Sequence, residues 1–75
     1  MALEIRAHWD AEAHVWWAES DDVIGLVAEA ETVESLLDDL RHIVPELMAL
    51  NAQQPGVRAE IRLVADRVEG LDAAA

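Results

Sequence analysis

Residues 32–51 read TVESLLDDLRHIVPELMALN, and this stretch decides the fold. Val33, Leu36, Leu37, Leu40, Ile43, Val44, Leu47 and Met48 recur at i, i+3, i+4, i+7 spacing, which aligns one apolar stripe along a helix. Glu34, Ser35, Asp38, Asp39, Arg41 and Glu46 take the other side. The Thr32 hydroxyl is placed to cap the first turn, and Glu31 and Glu34 put negative charge near the positive end of the helix dipole. Ser35 stands where a full capping box would have Glu or Gln. Pro45 has no N–H to donate, and its ring crowds the carbonyl of Arg41. The regular helix is therefore expected to stop or kink near Val44, with a last short turn to Leu50. An apolar stripe this wide needs a cover, and the flanking segments read as a sheet that supplies it.

Upstream, Leu3, Ile5, Ala7 and Trp9 alternate with Glu4, Arg6 and His8, the period of a half-buried strand. Asp10 to Ala13 is polar enough for a loop, and residues 14–20, HVWWAES, follow as a second strand rich in β-favouring residues. A hairpin with Trp9 opposite His14 sets Ala7 against Trp16 and Ile5 against Ala18. The apolar residues of both strands then share one face. Val15 and Trp17 fall on the reverse face beside Arg6 and His8, with Arg6 in reach of Trp17. This register also opposes Glu4 and Glu19, two like charges. Residues 20–22, SDD, are a turn, and residues 23–29, VIGLVAE, read as a third strand with Ile24, Leu26 and Ala28 on one face and a bulge at Gly25.

Beyond the helix, residues 52–56 form a loop. Val57, Ala59, Ile61, Leu63 and Ala65 alternate with Arg58, Glu60, Arg62, Val64 and Asp66, which favours a fourth strand. Val57, Ile61, Val64 and Val68 also fit a helical spacing, so residues 57–69 read as strand or helix, with the strand preferred. The order β-β-β-α-β gives an α+β domain over residues 1–69, one helix on a mainly antiparallel sheet, with 70–75 as a flexible tail.

The chain has 75 residues, room for one domain. A core of this size supplies only ~3–5 kcal/mol, and natural examples often add disulfides, metals or partner chains. Cysteine is absent, which removes disulfides and thiolate metal sites and leaves self-association as the way to bury more surface. Sixteen Asp and Glu against five arginines and no lysine give a formal charge of −11. Such a surface repels phosphate backbones, arguing against direct nucleic-acid binding, and suits a basic protein partner. There is no membrane-span run and no signal-peptide pattern, so the cytoplasm is the expected location.

Residues that carry chemistry are scattered. Asp10, Glu12, Glu19, Asp21, Asp22, Glu29, Glu31, Asp38 and Asp39 fall mostly in turns or on the polar side of the helix, where solvation explains them. His8 and His14 flank the hairpin but point to opposite faces, and no serine or threonine is placed beside a histidine. Gly25, Gly56 and Gly70 are isolated, so no loop cradles a phosphate. No catalytic residue, cofactor or metal is expected. Trp9 and Trp16 are expected in the core. Trp17 on the reverse face, with Val15, Val27 and Val64 nearby, leaves an apolar patch on a charged chain, and such patches mark interfaces. Val15, Trp17, Arg6 and Val64 are the candidate partner or oligomer surface.

The series His8-Trp9-Asp10-x-Glu12-Ala13-x-Val15-Trp16-x-Ala18-x-Ser20-Asp21-Asp22-x-x-Gly25-Leu26-x-x-Glu29-Ala30-x-Thr32, with Pro45-Glu46-Leu47 and Asn51, resembles a small bacterial family of uncharacterised proteins related to the HicB-like antitoxins. That resemblance covers residues 3–51. It implies the β-β-β-α-β fold, a partial ribonuclease-H-like arrangement without that enzyme's catalytic carboxylates. It also implies a non-enzymatic domain of a toxin–antitoxin pair that binds and blocks a small basic toxin acting on messenger RNA. HicB-type proteins commonly add a C-terminal DNA-binding segment, and residues 70–75, GLDAAA, are too short to supply one here. The alternative expectation is a self-assembling protein, a dimer or larger, that binds a small ligand in a cleft between subunits.

Overall fold

The alternation at the N-terminus folds as strand β1, Ala2–Asp10, in which Leu3, Ile5 and Ala7 are buried and Glu4 is exposed. The computed structural model describes residues 2–51 and 60–72. β1 is followed by β2 (Val15–Glu19), β3 (Ala28–Ala30), the helix α1 (Val33–Leu50) and β4 (Glu60–Asp66). The four strands form one mixed sheet in the order β3-β2-β1-β4. β1–β2 and β2–β3 are antiparallel, and β1–β4 is parallel. The architecture is the α+β, β-β-β-α-β plan expected from the sequence, with the last segment a strand. The proposed loop at 52–56, with Val57 and Ala59, lies outside the described residues, as does the end of the tail, 73–75.

The hairpin register differs from the sequence expectation. Trp9 stands opposite Trp16, Ala7 opposite Ala18 and Arg6 opposite Glu19. Asp10 causes the shift. Its carboxylate Oδ1 accepts the backbone N–H groups of Glu12 (3.0 Å) and Ala13 (3.2 Å), and its carbonyl accepts the His14 N–H at 2.8 Å. His14 completes the reversal in the left-handed region at φ 57°. The loop therefore holds residues 11–14, and the strands pair from Asp10–Val15 inward. The shift keeps every side chain on its expected face, and Glu19 meets Arg6 instead of Glu4. The like-charge pair of the expected register is gone.

Past Glu19 the backbone of β1 is held by side chains. Ser20 Oγ donates to the Glu4 carbonyl at 2.6 Å, and Asp22 Oδ2 accepts the Glu4 N–H at 2.8 Å. Ser20 Oγ also accepts the N–H groups of Asp22 and Val23. The third strand is then shorter than expected, three residues in place of seven. Val23, buried, opens a turn closed by the Leu26 N–H on the Val23 carbonyl (3.3 Å), with Gly25 at φ 80°. That is the third position of a type II turn, where an L side chain is strained, so Gly25 serves a turn and not a bulge. Ile24 consequently points to solvent, while Leu26 and Ala28 reach the core.

The helix follows its stripe. Leu36, Leu40 and Val44 are buried, and Val33, Ile43, Leu47 and Met48 pack against the core at its margin. Thr32 Oγ1 accepts the Ser35 N–H at 3.0 Å, the expected cap. The helix runs from Val33 through Pro45 to Leu50 without the expected stop. Arg41, whose carbonyl loses its donor to Pro45, and Pro45 itself both lie on the exposed side, where water can meet the carbonyl. At the C-terminus the Asn51 N–H bonds to the Leu47 carbonyl, and Asn51 Nδ2 donates to the Ile24 carbonyl at 3.0 Å, tying the helix end to the turn. The helix lies over β2 and β3. The core it closes is Leu3, Ile5, Ala7, Trp16, Ala18, Val23, Leu26, Ala28, Leu36, Leu40 and Val44. Each fully buried Ile, Leu or Val contributes about 1.5–3 kcal/mol relative to exposure.

Candidate functional site

Because one helix covers one face, the opposite face of the sheet has no cover among the described residues. Alternation sends the even-numbered residues of β1 and β4 and the odd-numbered residues of β2 and β3 onto it. In strand order β3-β2-β1-β4 the face carries a row Glu29, Trp17, His8, Asp66. Next to it lies Glu19, Arg6, Val64, and then Glu4 beside Arg62. Val15 and Asp10 are paired at one end, Ala2 and Glu60 at the other. Six carboxylates, Glu4, Asp10, Glu19, Glu29, Glu60 and Asp66, thus face two arginines, Arg6 and Arg62.

At the centre stand Trp17 and His8, directly opposite across the hairpin, with ring centroids 4.5 Å apart and planes tilted by 32°. His8 Nε2 is 2.6 Å from Glu19 Oε2. Arg6 donates to Asp21 at 3.0 Å and to Glu19 at 3.4 Å, with Glu4 at 4.0 Å. The Asp21 carboxylate, through its hydrogen bond and charge, and then Glu19 raise the Arg6 guanidinium above its ordinary pKa. Glu19 joins the two parts, bonding to His8 and to Arg6. Trp17 remains 41% exposed and Val64 40% exposed, while Val15 is half-buried.

The structure therefore sets Arg6, Trp17, Val15 and Val64 on one face. Arg6 and Val64 are neighbours across β1 and β4, Trp17 lies one row away, and Val15 sits at the end of β2 beside Asp10. The ring against Trp17 is His8 and not Arg6, because the register moved by two positions. Val27 leaves the patch, since it precedes β3 and is exposed in the loop. His8 and its carboxylate partner Glu19 form a pair that the sequence reading missed. The signal for it was the even-residue alternation of β1 with the odd-residue alternation of β2, which the wrong register obscured.

Trp16 is buried and Trp9 packs at the core margin, as expected of the helix-side tryptophans. Arg67 caps that end of the core, with its guanidinium carbon 3.9 Å from the centre of a Trp9 ring and its charge paired to Glu69. His14, in the hairpin loop, meets Trp9 edge-on at 6.1 Å, far from His8 on the other face. Among the described residues no group of three His, Asp or Glu side chains is arranged to hold a metal ion. No helix of the described residues is long and apolar enough to cross a membrane. An acidic face with an aromatic centre offers contact area and charge.

The domain family whose description reads "Domain of unknown function (DUF1902)" matches residues 2–72. The crystal structure of a hypothetical protein from the extremely thermophilic bacterium Thermus thermophilus is similar to this chain. It is 46% identical, covers 95% of this chain and 100% of its own, and superposes with a TM-score of 0.84. No curated protein matches.

Proposed function

The chain belongs to the DUF1902 family, and from that premise we propose that it is a non-enzymatic, cytoplasmic protein-interaction domain that binds a small basic protein through the open face of its sheet. The observation that carries the reading is the uncovered face itself, with six carboxylates around the stacked pair Trp17 and His8. The acidic rim steers a cationic partner and fixes its orientation, and the half-exposed Trp17 ring supplies the desolvated anchor that interfaces favour. A relationship to HicB-like antitoxins, whose partners are small basic toxins, fits this chemistry. It is supported by the β-β-β-α-β plan and by the ordered residue series from His8 to Thr32. The formal charge of −11 points the same way, toward proteins and away from nucleic acids.

The test uses the tagged chain and its Trp17→Glu variant as baits in lysate of the chain's own host, at low and high salt, read by mass spectrometry. Trp17→Glu leaves the fold intact, because its ring packs outside the core, and far-ultraviolet circular dichroism verifies this. A small basic protein recovered by the wild type at low salt, partly released at high salt and lost with the variant is the expected result. Recovery of nothing but the chain itself from the wild-type bait at both salts refutes the reading.

A further inference from the structure

β4 is the one strand of the sheet without a buried residue, and its outer edge is unpaired among the described residues. Ile61 and Leu63 only touch the core, Ala65 is exposed, and Val64 is 40% exposed on the other face. The edge is seven residues long and carries neither proline nor lysine nor a bulge; its only guards are the charges of Glu60, Arg62 and Asp66, which block pairing in some registers and favour it in others. At the other end of the sheet β3 offers only three residues, with Glu29 in their centre.

We infer that a second copy of this chain pairs with β4, strand against strand and antiparallel, about a two-fold axis through Val64. The sequence of the strand selects that register. Centred on Leu63, the pairing opposes Glu60 to Asp66 of the other copy, acid to acid, twice. Centred on Arg62 it opposes arginine to arginine. Centred on Val64 it opposes Arg62 to Asp66 of the other copy at both ends, Leu63 to Ala65 on the helix side, and Val64 to itself. A register centred on Ile61 also opposes Glu60 to Arg62 but pairs only residues 60–62 of the strand. Among registers that pair five or more of its residues, charge complementarity and face matching are satisfied together only at Val64. The symmetry also closes: β4 is consumed by its own kind, and the short β3 edges are left outermost. The product is one eight-stranded sheet with both helices on the same side. This inference is independent of the basic-partner reading, since the open face and Trp17 stay exposed in the dimer. The repulsion between two chains of charge −11 acts over distance and is screened within about 8 Å at physiological ionic strength, so the contact pairs decide.

Sedimentation at about 0.15 M salt and micromolar chain concentration tests it with two variants, Arg62→Glu and Asp66→Arg. Alone, each opposes like charges at both ends of the axis, and its dimer is expected to weaken by roughly tenfold or more. The first variant carries acids at both positions 62 and 66, and the second carries arginines at both. Mixed in equal amounts, they set acid against arginine at each end of the axis, and a heterodimer of wild-type strength returns. A mere folding defect cannot produce that recovery. Because the chain has no cysteine, Val64→Cys provides a second reading: mild oxidation should link two copies through this position, while Val15→Cys should not link. A wild type that stays monomeric, a higher oligomer, folded variants that dimerise like the wild type, or a mixture that fails to associate while Val64→Cys remains unlinked overturns the inference.

Discussion

Leu40→Ala is the sharpest probe of the helix–sheet core. Leu40 has no exposed surface and lies in the middle of the buried trio Leu36, Leu40 and Val44. The substitution removes three carbons from the core, worth about 2.4 kcal/mol at ~0.8 kcal/mol per buried carbon. The helix is pinned at both ends, by Thr32 on the Ser35 N–H and by Asn51 on the Ile24 carbonyl, so collapse onto the gap is partial and a cavity remains. The cavity brings the expected loss to about 3 kcal/mol. For a domain of this size each kcal/mol moves the melting temperature by ~4–8 °C, so a fall of about 12–24 °C is expected. Urea titration followed by tryptophan fluorescence measures the free-energy loss, and a thermal melt the shift in midpoint, since Trp16 is buried and reports exposure. Leu50→Ala is the matched control: Leu50 is 81% exposed on the same helix, and its truncation should stay within about 0.5 kcal/mol. All variants are compared at one chain concentration, because self-association couples to stability. A Leu40→Ala loss below about 1 kcal/mol with an unchanged denaturant slope would sink the claim that this stripe is the core.

Thr32→Ala removes the acceptor for the Ser35 N–H and should cost about 1 kcal/mol, read by the same titration. Gly25→Ala meets no steric neighbour, so any loss isolates backbone strain at φ 80°, and about 1–2 kcal/mol is expected; a neutral result would show that the turn relaxes. Ser20→Ala deletes one hydroxyl that serves the Glu4 carbonyl and two backbone N–H groups, and should cost about 1–2 kcal/mol with faster amide exchange at Val23.

What the sequence disclosed, it disclosed through periodicity. The period of 3.6 at residues 33–48 and the period of two at residues 3–9 and 60–66 placed the helix, the first strand and the last. They also put Arg6, Val15, Trp17 and Val64 on one face. Periodicity is blind to register within one face, and the hairpin depended on a single carboxylate, Asp10, folding the loop beneath it. The Val23–Leu26 turn was equally hidden. Val23, Leu26 and Ala28 are all buried, yet only Ala28 belongs to a strand, so apolar content alone suggested a longer one. Pro45 misled for a different reason: its local cost was visible, but the stripe beneath it, from Val44 to Met48, kept the helix on the sheet. The open face was legible as a place, while the His8–Trp17 stack that gives it shape required the register.

The parallel pairing of β1 with β4 also shapes how the molecule comes together. It joins Ala2 to Glu60, 58 positions along the chain, whereas the first hairpin closes between Asp10 and Val15, five positions apart. The longer closure spans roughly three and a half doublings of loop length, about 2 kcal/mol more in chain entropy. By loop-closure entropy alone, the hairpin is expected to form before β4 docks. Until β4 docks, the backbone of β1 is bare along its outer edge, in the middle of the final sheet. A β4 arriving from a neighbouring copy fits that gap as well as the chain's own, so crowded, newly made chains are at risk of trading their last strands.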